Sequence, residues 1–307
     1  MKKQIIQDWR DIEQKESTIL VLGYFDGIHK GHQQLFQRAR QLADQSGLQV
    51  ALLTFPESPQ LAFSRFRPDL LLHLSSSELR EELLEQAGVD LLYLQDFTSE
   101  FGSLTGQEFL DTYVASLKAQ KLVVGFDYHF GCDRQGAQLL ASSFPGQVEI
   151  VPSYDLDGKK VSSTRIRAAL AQGQVEEVSQ LLGRPYQTCG IVVHGDARGR
   201  TIGYPTANLA PLDRLHMPAD GVYVVDVHEG NRVYRGMASV GKNVTFEGDE
   251  LRFEVNIFDF SADIYGHRLK IDWLARLRDM VKFSSVQALI EQLEDDKNRA
   301  QDWKERD

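Results

Sequence analysis

Residues 23–32, GYFDGIHKGH, gather three glycines, an aspartate and two histidines into ten positions. Such a stretch is poor in core-forming side chains, so packing alone does not account for it. Upstream, STILVLGYF (17–25) is an apolar run suited to a buried strand. Downstream, HQQLFQRARQLADQSG places Leu35, Phe36, Ala39 and Leu42 at helical spacing, and Gly47 can end that helix. Strand, glycine turn and helix together aim backbone N–H groups at an anion. His29 and His32 stand three residues apart at the helix start and can face one way. Two imidazoles there would donate hydrogen bonds to nucleotide phosphates, and the glycines permit close backbone approach. An H-x-x-H pair also suits a metal ion, but no third ligand is obvious nearby. A second stretch, SSTRIR (162–167), offers hydroxyls and arginines; by itself it reads equally as a helix start with surface arginines.

The second half carries its own candidates. HGDARGRTIGYPTANL (194–209) is a glycine-rich loop with Arg198 and Arg200, followed by Thr206 and Asn208. Those two neutral oxygen donors lie two residues apart, so along an extended segment they point the same way. Neutral oxygens with substrate phosphates are a normal environment for Mg²⁺. In LRFEVNIFDF, Phe253, Val255 and Ile257 point one way and Arg252, Glu254 and Asn256 the other; the pattern leaves open whether that second face is solvent or site. GMASVGKN (236–243) nearly meets the P-loop pattern, but it ends in Asn243 instead of Ser or Thr and no helix follows. It is rejected as a phosphate loop, and Lys242 is read as an ordinary loop lysine.

Around these residues the first half alternates strands with helices: LQVALLTF, VDLLYL, KLVVGF and QVEIVP are further strands, and SSSELREELLEQAG and LTGQEFLDTYVASLKA are helices. Alternation of this kind predicts an α/β, Rossmann-like domain with a parallel sheet covered on both faces. Short helices are expected near 164–171 and 174–182. Beyond about residue 183 short apolar runs are separated by turns, with EGNR (229–232) as a hairpin signal. These predict a small β-barrel, closed by a terminal helix whose apolar face is Val286, Leu289, Ile290 and Leu293. The domains are placed at 1–184 and 185–307. The net charge of −10 argues against bulk binding to nucleic acid or an anionic membrane. Two cysteines, Cys132 and Cys189, make no disulfide framework or zinc set. With no long apolar run, a cytoplasmic protein is expected.

GYFDGIHKGH resembles the signature of the nucleotidylyltransferase superfamily, whose H-x-G-H pair corresponds to His29 and His32, and SSTRIR matches its second signature. GRTIGYPTANL, GVYVV and FEVNIFDFSADIYGHRLKIDWLARLRDMVKF are similar to the riboflavin kinase module. In this order the two modules resemble the prokaryotic FAD synthetase family, over nearly the whole chain. The resemblance implies two ATP-dependent steps: riboflavin to FMN in the second half, then FMN to FAD and pyrophosphate in the first. It implies ATP contacts at Gly23, Phe25, Gly27, Ser163, Thr164, Arg165, Gly199, Thr206 and Asn208. It makes His29 and His32 the charge-stabilising pair, Glu254 the general base, and Thr206 and Asn208 the Mg²⁺ ligands. It puts Asp127, Arg276 and Arg278 near the flavin. Riboflavin, FMN and ATP are the expected partners, and no oligomeric state is implied. Three departures stand out. The family's T-F-x-P-H-P reads TFPESP, with Glu57 and Ser58; Val244 replaces a proline; Asn256 replaces a histidine. A carboxylate near a phosphate site is unhelpful, so a kinase with a weak or inactive first domain, kept for flavin binding or regulation, is the alternative reading.

Overall fold

The computed structural model describes residues 1–195, 199, 202–242 and 251–304. Arg198, Arg200, Asn243 and Val244 lie outside the described residues, as does the side chain of Lys242. The chain forms two compact units, one of residues 1–73 and 77–162, the other of residues 74–76 and 163–307.

The first unit is built on six parallel strands: β1 (Lys2–Ile6), β2 (Thr18–Leu22), β3 (Gln49–Thr54), β4 (Leu91–Gln95), β5 (Ala119–Gly125) and β6 (Gln147–Val151), in the order β1-β4-β3-β2-β5-β6. Alternate residues of the central strands serve opposite faces. Leu20, Leu22, Leu53 and Val124 join the core with Phe109, Tyr113 and Leu117. Ile19, Val21, Leu52 and Val123 join Leu35, Phe36, Ala39 and Leu42 of α1 (Lys30–Ser46) on the other face. The all-buried TILVL of β2 is what a doubly covered parallel strand requires. Gly47 closes α1 at φ 67°, as its position after the apolar repeat predicts. Strand β1 was not apparent in the sequence. Its burial is low except at Ile6, because it is an edge strand paired only with β4. The chain order reverses between β2, with β3 on one side, and β5 on the other. In such a sheet, ligands bind outside the carboxyl ends of the strands at the reversal.

The second unit starts with α3 (Ser163–Ala171) and α4 (Val175–Leu182); α2 of the first unit is Ser77–Gln86. A closed antiparallel barrel follows, of β7 (Tyr186–Val193), β8 (Ala207–Pro211), β9 (Gly221–Glu229), β10 (Arg232–Lys242), β11 (Leu251–Ile257) and β12 (Arg268–Arg278), in the order β7-β8-β11-β10-β9-β12. EGNR is the β9–β10 hairpin, with Gly230 at φ 58°. Trp273 is fully buried, donates to Thr188 Oγ1 at 3.0 Å and is flanked by Tyr223 and Phe253. The rejected P-loop stretch runs as strand over its described part, and a Cβ at Gly236 would lie 2.6 Å from the Asn256 carbonyl. Gly236 therefore serves close strand approach, not phosphate binding.

The terminal helix α5 (Val286–Asp302) packs on the barrel with Leu293 of the expected apolar face against the core, while the first residue of that face stays outside it. Val286 is 61% exposed, and the fully buried positions are Asp296 and Ala300. Arg278 of β12 grips the Asp296 carboxylate with Nε at 2.9 and 3.1 Å and Nη2 at 2.7 Å, and Gln292 adds a bond at 3.0 Å. A paired charge, which hydropathy counts as surface, joins Leu293 and Ala300 on the docking face.

Candidate active sites

In the first unit the chain leaves β2 and turns through residues 23–28 into α1. Phe25 (φ 53°) and Ile28 (φ 45°) take the left-handed conformation beside Gly27 (φ 82°). Each such non-glycine residue costs about 1–3 kcal/mol, and such strain gathers at functional sites. Both side chains are nearly fully buried, which holds the turn in place. Gly23 leaves room for the Phe25 ring, which a Cβ would approach to 2.7 Å.

His29 is the N-cap of α1. Its Nδ1 accepts the His32 backbone N–H at 3.2 Å, so the ring proton sits on Nε2, which is a donor. The His29 and His32 rings stack with centroids 3.6 Å apart and planes at 19°. Gly31 makes this possible, since a Cβ there would stand 3.2 Å from the His29 ring. The Phe25 ring meets His32 edge-on at 5.0 Å. His32 Nδ1 is buried and has no hydrogen-bond partner among the described residues; an unmet buried polar atom costs about 1–3 kcal/mol. Burial first, and then the charges of His29, Arg80 and Lys160, hold the His32 pKa well below 6.5. The ring is therefore neutral at neutral pH, and among the described residues nothing meets Nδ1.

Two further groups border this site. Asp127, just past β5, pairs with Lys160, whose amine lies 4.6 Å from the Phe126 ring centre. Glu57 of TFPESP accepts from or donates to His73 Nε2 at 3.1 Å according to the protonation state, while His73 Nδ1 meets the Tyr24 hydroxyl at 3.0 Å. The departure from the family pattern thus places a carboxylate against an imidazole from another segment. Sequence reading did not single out His73, Lys160 or Arg80. Lys160 had a signal, standing two residues before SSTRIR; Arg80, within SELREELLEQ, had none.

In the second unit, Ser163, Thr164 and Arg165 form the first turn of α3, and Arg165 pairs with Glu177 through Nε at 2.9 Å and Nη2 at 2.8 Å. The barrel site is built from β8 and β11. Asn208 stands directly opposite Glu254 in the ladder, and Thr206 Oγ1 donates to Glu254 Oε2 at 3.3 Å. Asn256, buried beside them, donates to the Pro205 carbonyl at 2.6 Å and fixes the start of PTAN. The polar face left open by the alternation therefore divides: Arg252 is exposed, whereas Glu254 and Asn256 meet the PTAN segment. Gly195 and Gly199 complete the cradle. A Cβ at Gly195 would overlap the Asn208 amide, and one at Gly199 would overlap the Tyr204 carbonyl. Among the described residues no cluster of three or more His, Cys, Asp or Glu could cage a metal. Two neutral oxygens beside one carboxylate nevertheless fit Mg²⁺, which takes few protein ligands and completes its shell with water and phosphate.

Arg276 and Arg278 are both engaged within the second unit. Arg276 donates to the carbonyls of Gln172 at 2.8 Å and Asp220 at 2.7 Å and pairs with Asp279 at 2.9 Å. Arg278 is the Asp296 clamp.

Comparison with known proteins agrees with this division. The riboflavin kinase family (Flavokinase) matches residues 182–304, and the FAD synthetase family (FAD_syn) matches residues 11–165. A bifunctional riboflavin kinase/FMN adenylyltransferase from Listeria monocytogenes is 42% identical over 94% of this chain and 92% of its own length. The chain belongs to the bifunctional riboflavin kinase/FMN adenylyltransferase family. Its Bacillus subtilis member is 38% identical over 94% of this chain and 93% of the relative. A crystal structure described as a macrolide-efflux protein from Streptococcus pneumoniae has the same fold, with TM-score 0.96 and 52% identity over 99% of this chain and 100% of that one. Among the described residues no helix is long and apolar enough to cross a membrane. Within the bifunctional riboflavin kinase/FMN adenylyltransferase family, the stacked histidines fall in the FAD synthetase portion and the Thr206–Glu254 pair in the riboflavin kinase portion.

Proposed function

We propose that the barrel phosphorylates riboflavin and that the first unit adenylylates the FMN produced. The supporting observation is that each family signature coincides with a built polar site: the Thr206–Glu254 pair for the kinase and the stacked His29–His32 pair for the adenylyltransferase.

In the kinase reaction, Glu254 takes the proton of the riboflavin 5′-hydroxyl as that oxygen bonds to the γ-phosphorus, the γ-phosphorus bond to the bridging oxygen breaks, and ADP leaves. A general base of this kind is typically worth about 100- to 10,000-fold. Thr206 orients the carboxylate, and Asn208 stands opposite it in the ladder. Thr206 Oγ1 and the Asn208 side-chain oxygen would hold Mg²⁺, which supplies charge neutralisation to ATP phosphates when bound. Gly199 itself comes close to the Tyr204 carbonyl at the start of this segment.

In the adenylyl transfer the nucleophile is the FMN phosphate, already an anion, so no base is needed. Its oxygen bonds to the α-phosphorus of ATP while the bond to the β,γ-pyrophosphate breaks. The task of the protein is to offset repulsion between anions. His29, with Nε2–H as donor, and His32 act on the phosphates, beside the backbone N–H groups at the start of α1. Gly23, Phe25 and Gly27 shape the turn that nucleotide approaches. Asp127 is assigned to the flavin side. The assignment of Ser163, Thr164 and Arg165 to ATP phosphates rests on the motif. Arg276 and Arg278 remain assigned to flavin by resemblance, although their guanidiniums already have partners in the barrel unit. A kinase with an inert first domain is not favoured, because Glu57 is turned to His73 and the FAD synthetase match is intact.

The test is one incubation with riboflavin, ATP and Mg²⁺, with flavins separated by chromatography. His29→Ala with His32→Ala should accumulate FMN without FAD. Glu254→Gln should form little FMN yet convert supplied FMN to FAD. Equal loss of both products in the histidine variant, or a normal phosphorylation rate in the glutamine variant, would overturn the assignment.

A further inference from the structure

Behind the histidine pair lies a buried cation that the reaction as described does not use. Arg80 of α2 is only 8% exposed. Its Nη1 donates to the Phe55 carbonyl at 2.8 Å; its Nη2 donates to Thr54 Oγ1 at 2.7 Å and to the Tyr24 carbonyl. Among the described residues these acceptors are a hydroxyl and two main-chain carbonyls, none charged, and Nε has no partner. Its Cζ also lies 5.3 Å from the Tyr24 ring centre. Burying a guanidinium whose direct acceptors are all neutral is costly even with the carboxylates of Asp26, Glu81 and Glu57 in the surroundings, so packing is a poor reason for the residue.

Its position supplies a better reason. Tyr24 belongs to the turn that carries His29 and His32, whereas Thr54 and Phe55 end β3 and open TFPESP. One planar fork therefore ties together the loops after two adjacent strands, at the carboxyl edge where the sheet order reverses. A lysine, with a point charge and no fork, cannot meet the same acceptors in one plane. The same charge acts on His32, together with His29 on its own turn and Lys160 from the hairpin before SSTRIR. The charged and titratable groups facing Arg80 are Tyr24, Asp26, Glu81 and Glu57.

We propose that Arg80 is a positioning residue for adenylyl transfer, fixing the histidine turn against the β3 loop and adding a permanent positive charge behind the phosphate site. This rests on the reading of His29 and His32 as the adenylyl-transfer pair. Two consequences follow. Without the fork, the turn shifts, and misplacement of about 1 Å can cost about 100-fold. Without the charge, His32 gains a proton more easily, so its titration moves to higher pH.

The experiment uses the full chain with Arg80→Met and Arg80→Lys. FAD formation from supplied FMN is followed as kcat/KM for ATP against pH, and riboflavin phosphorylation is measured on the same samples. Arg80→Met should lower adenylyl transfer about 100-fold, move the His32-linked inflection upward and leave phosphorylation unchanged. Arg80→Lys should lose rate but keep the inflection near its original pH. Adenylyl transfer within twofold in Arg80→Met, or an equal loss in both variants with no movement of the inflection, would overturn the proposal. If Arg80→Met does not fold its first unit, Arg80→Lys alone decides: wild-type kcat/KM refutes the fork. FAD formation that survives His29→Ala with His32→Ala refutes instead the reading of the site on which the proposal rests.

Discussion

The Arg278–Asp296 clamp yields a prediction whose size can be worked from the structure. Asp296 is wholly buried and accepts from Arg278 Nε and Nη2 and from Gln292. Substituting Asp296→Ala strands the Arg278 guanidinium, itself 16% exposed, and removing one member of a buried pair costs about 3–5 kcal/mol. In a unit of this size each kcal/mol moves the melting midpoint by about 2–4 °C. The barrel should therefore inactivate about 6–20 °C below the native protein. Thermal inactivation of riboflavin phosphorylation reads this directly, and FAD formation from supplied FMN is the control for the other unit. The origin of the loss is separable. If the stranded charge is responsible, Arg278→Met combined with Asp296→Leu should recover most of the midpoint, read for this pair by calorimetric melting because Arg278 is also assigned to flavin, since an apolar pair of similar volume often replaces a buried ion pair without loss. A native midpoint in Asp296→Ala refutes the argument outright; a double variant as labile as the single one shows that helix packing, not charge, holds the terminus.

Other expectations follow from the two sites. Because the folded state depresses the His32 pKa below 6.5, the unfolded chain takes up a proton first as pH falls. The first unit should thus be fully stable above about pH 6.5 and lose up to about 1.4 kcal/mol per pH unit below it from this residue, until the folded ring also protonates. The difference in urea-unfolding free energy between the native chain and His32→Asn, followed from pH 7.5 to 5, reads that slope, and parallel curves would rule it out. Gly195→Ala should push the Asn208 amide aside and lower riboflavin phosphorylation about tenfold, equivalent to about 1.4 kcal/mol, with adenylyl transfer intact; steady-state kinetics on both reactions checks it.

The sequence by itself determined what depends on neighbours a few residues apart. The strand–turn–helix around His29 and His32, the stop at Gly47, the EGNR hairpin and the alternation through Phe253, Val255 and Ile257 are all local, and the structure contains each. Tertiary structure alone decided what depends on pairing between distant segments. Arg80 reads as one more charge on a solvated helix until Thr54, 26 residues away, and Tyr24, 56 away, surround it. Edge strand β1 needs β4 to be a strand at all. The polar face of β11 becomes a site only where β8 brings Thr206 to Glu254, and α5 docks through Asp296 because β12 presents an arginine there. Periodicity records which side chains prefer to leave water; it does not record which buried charge or hydroxyl will find its partner, since that partner is set by the fold.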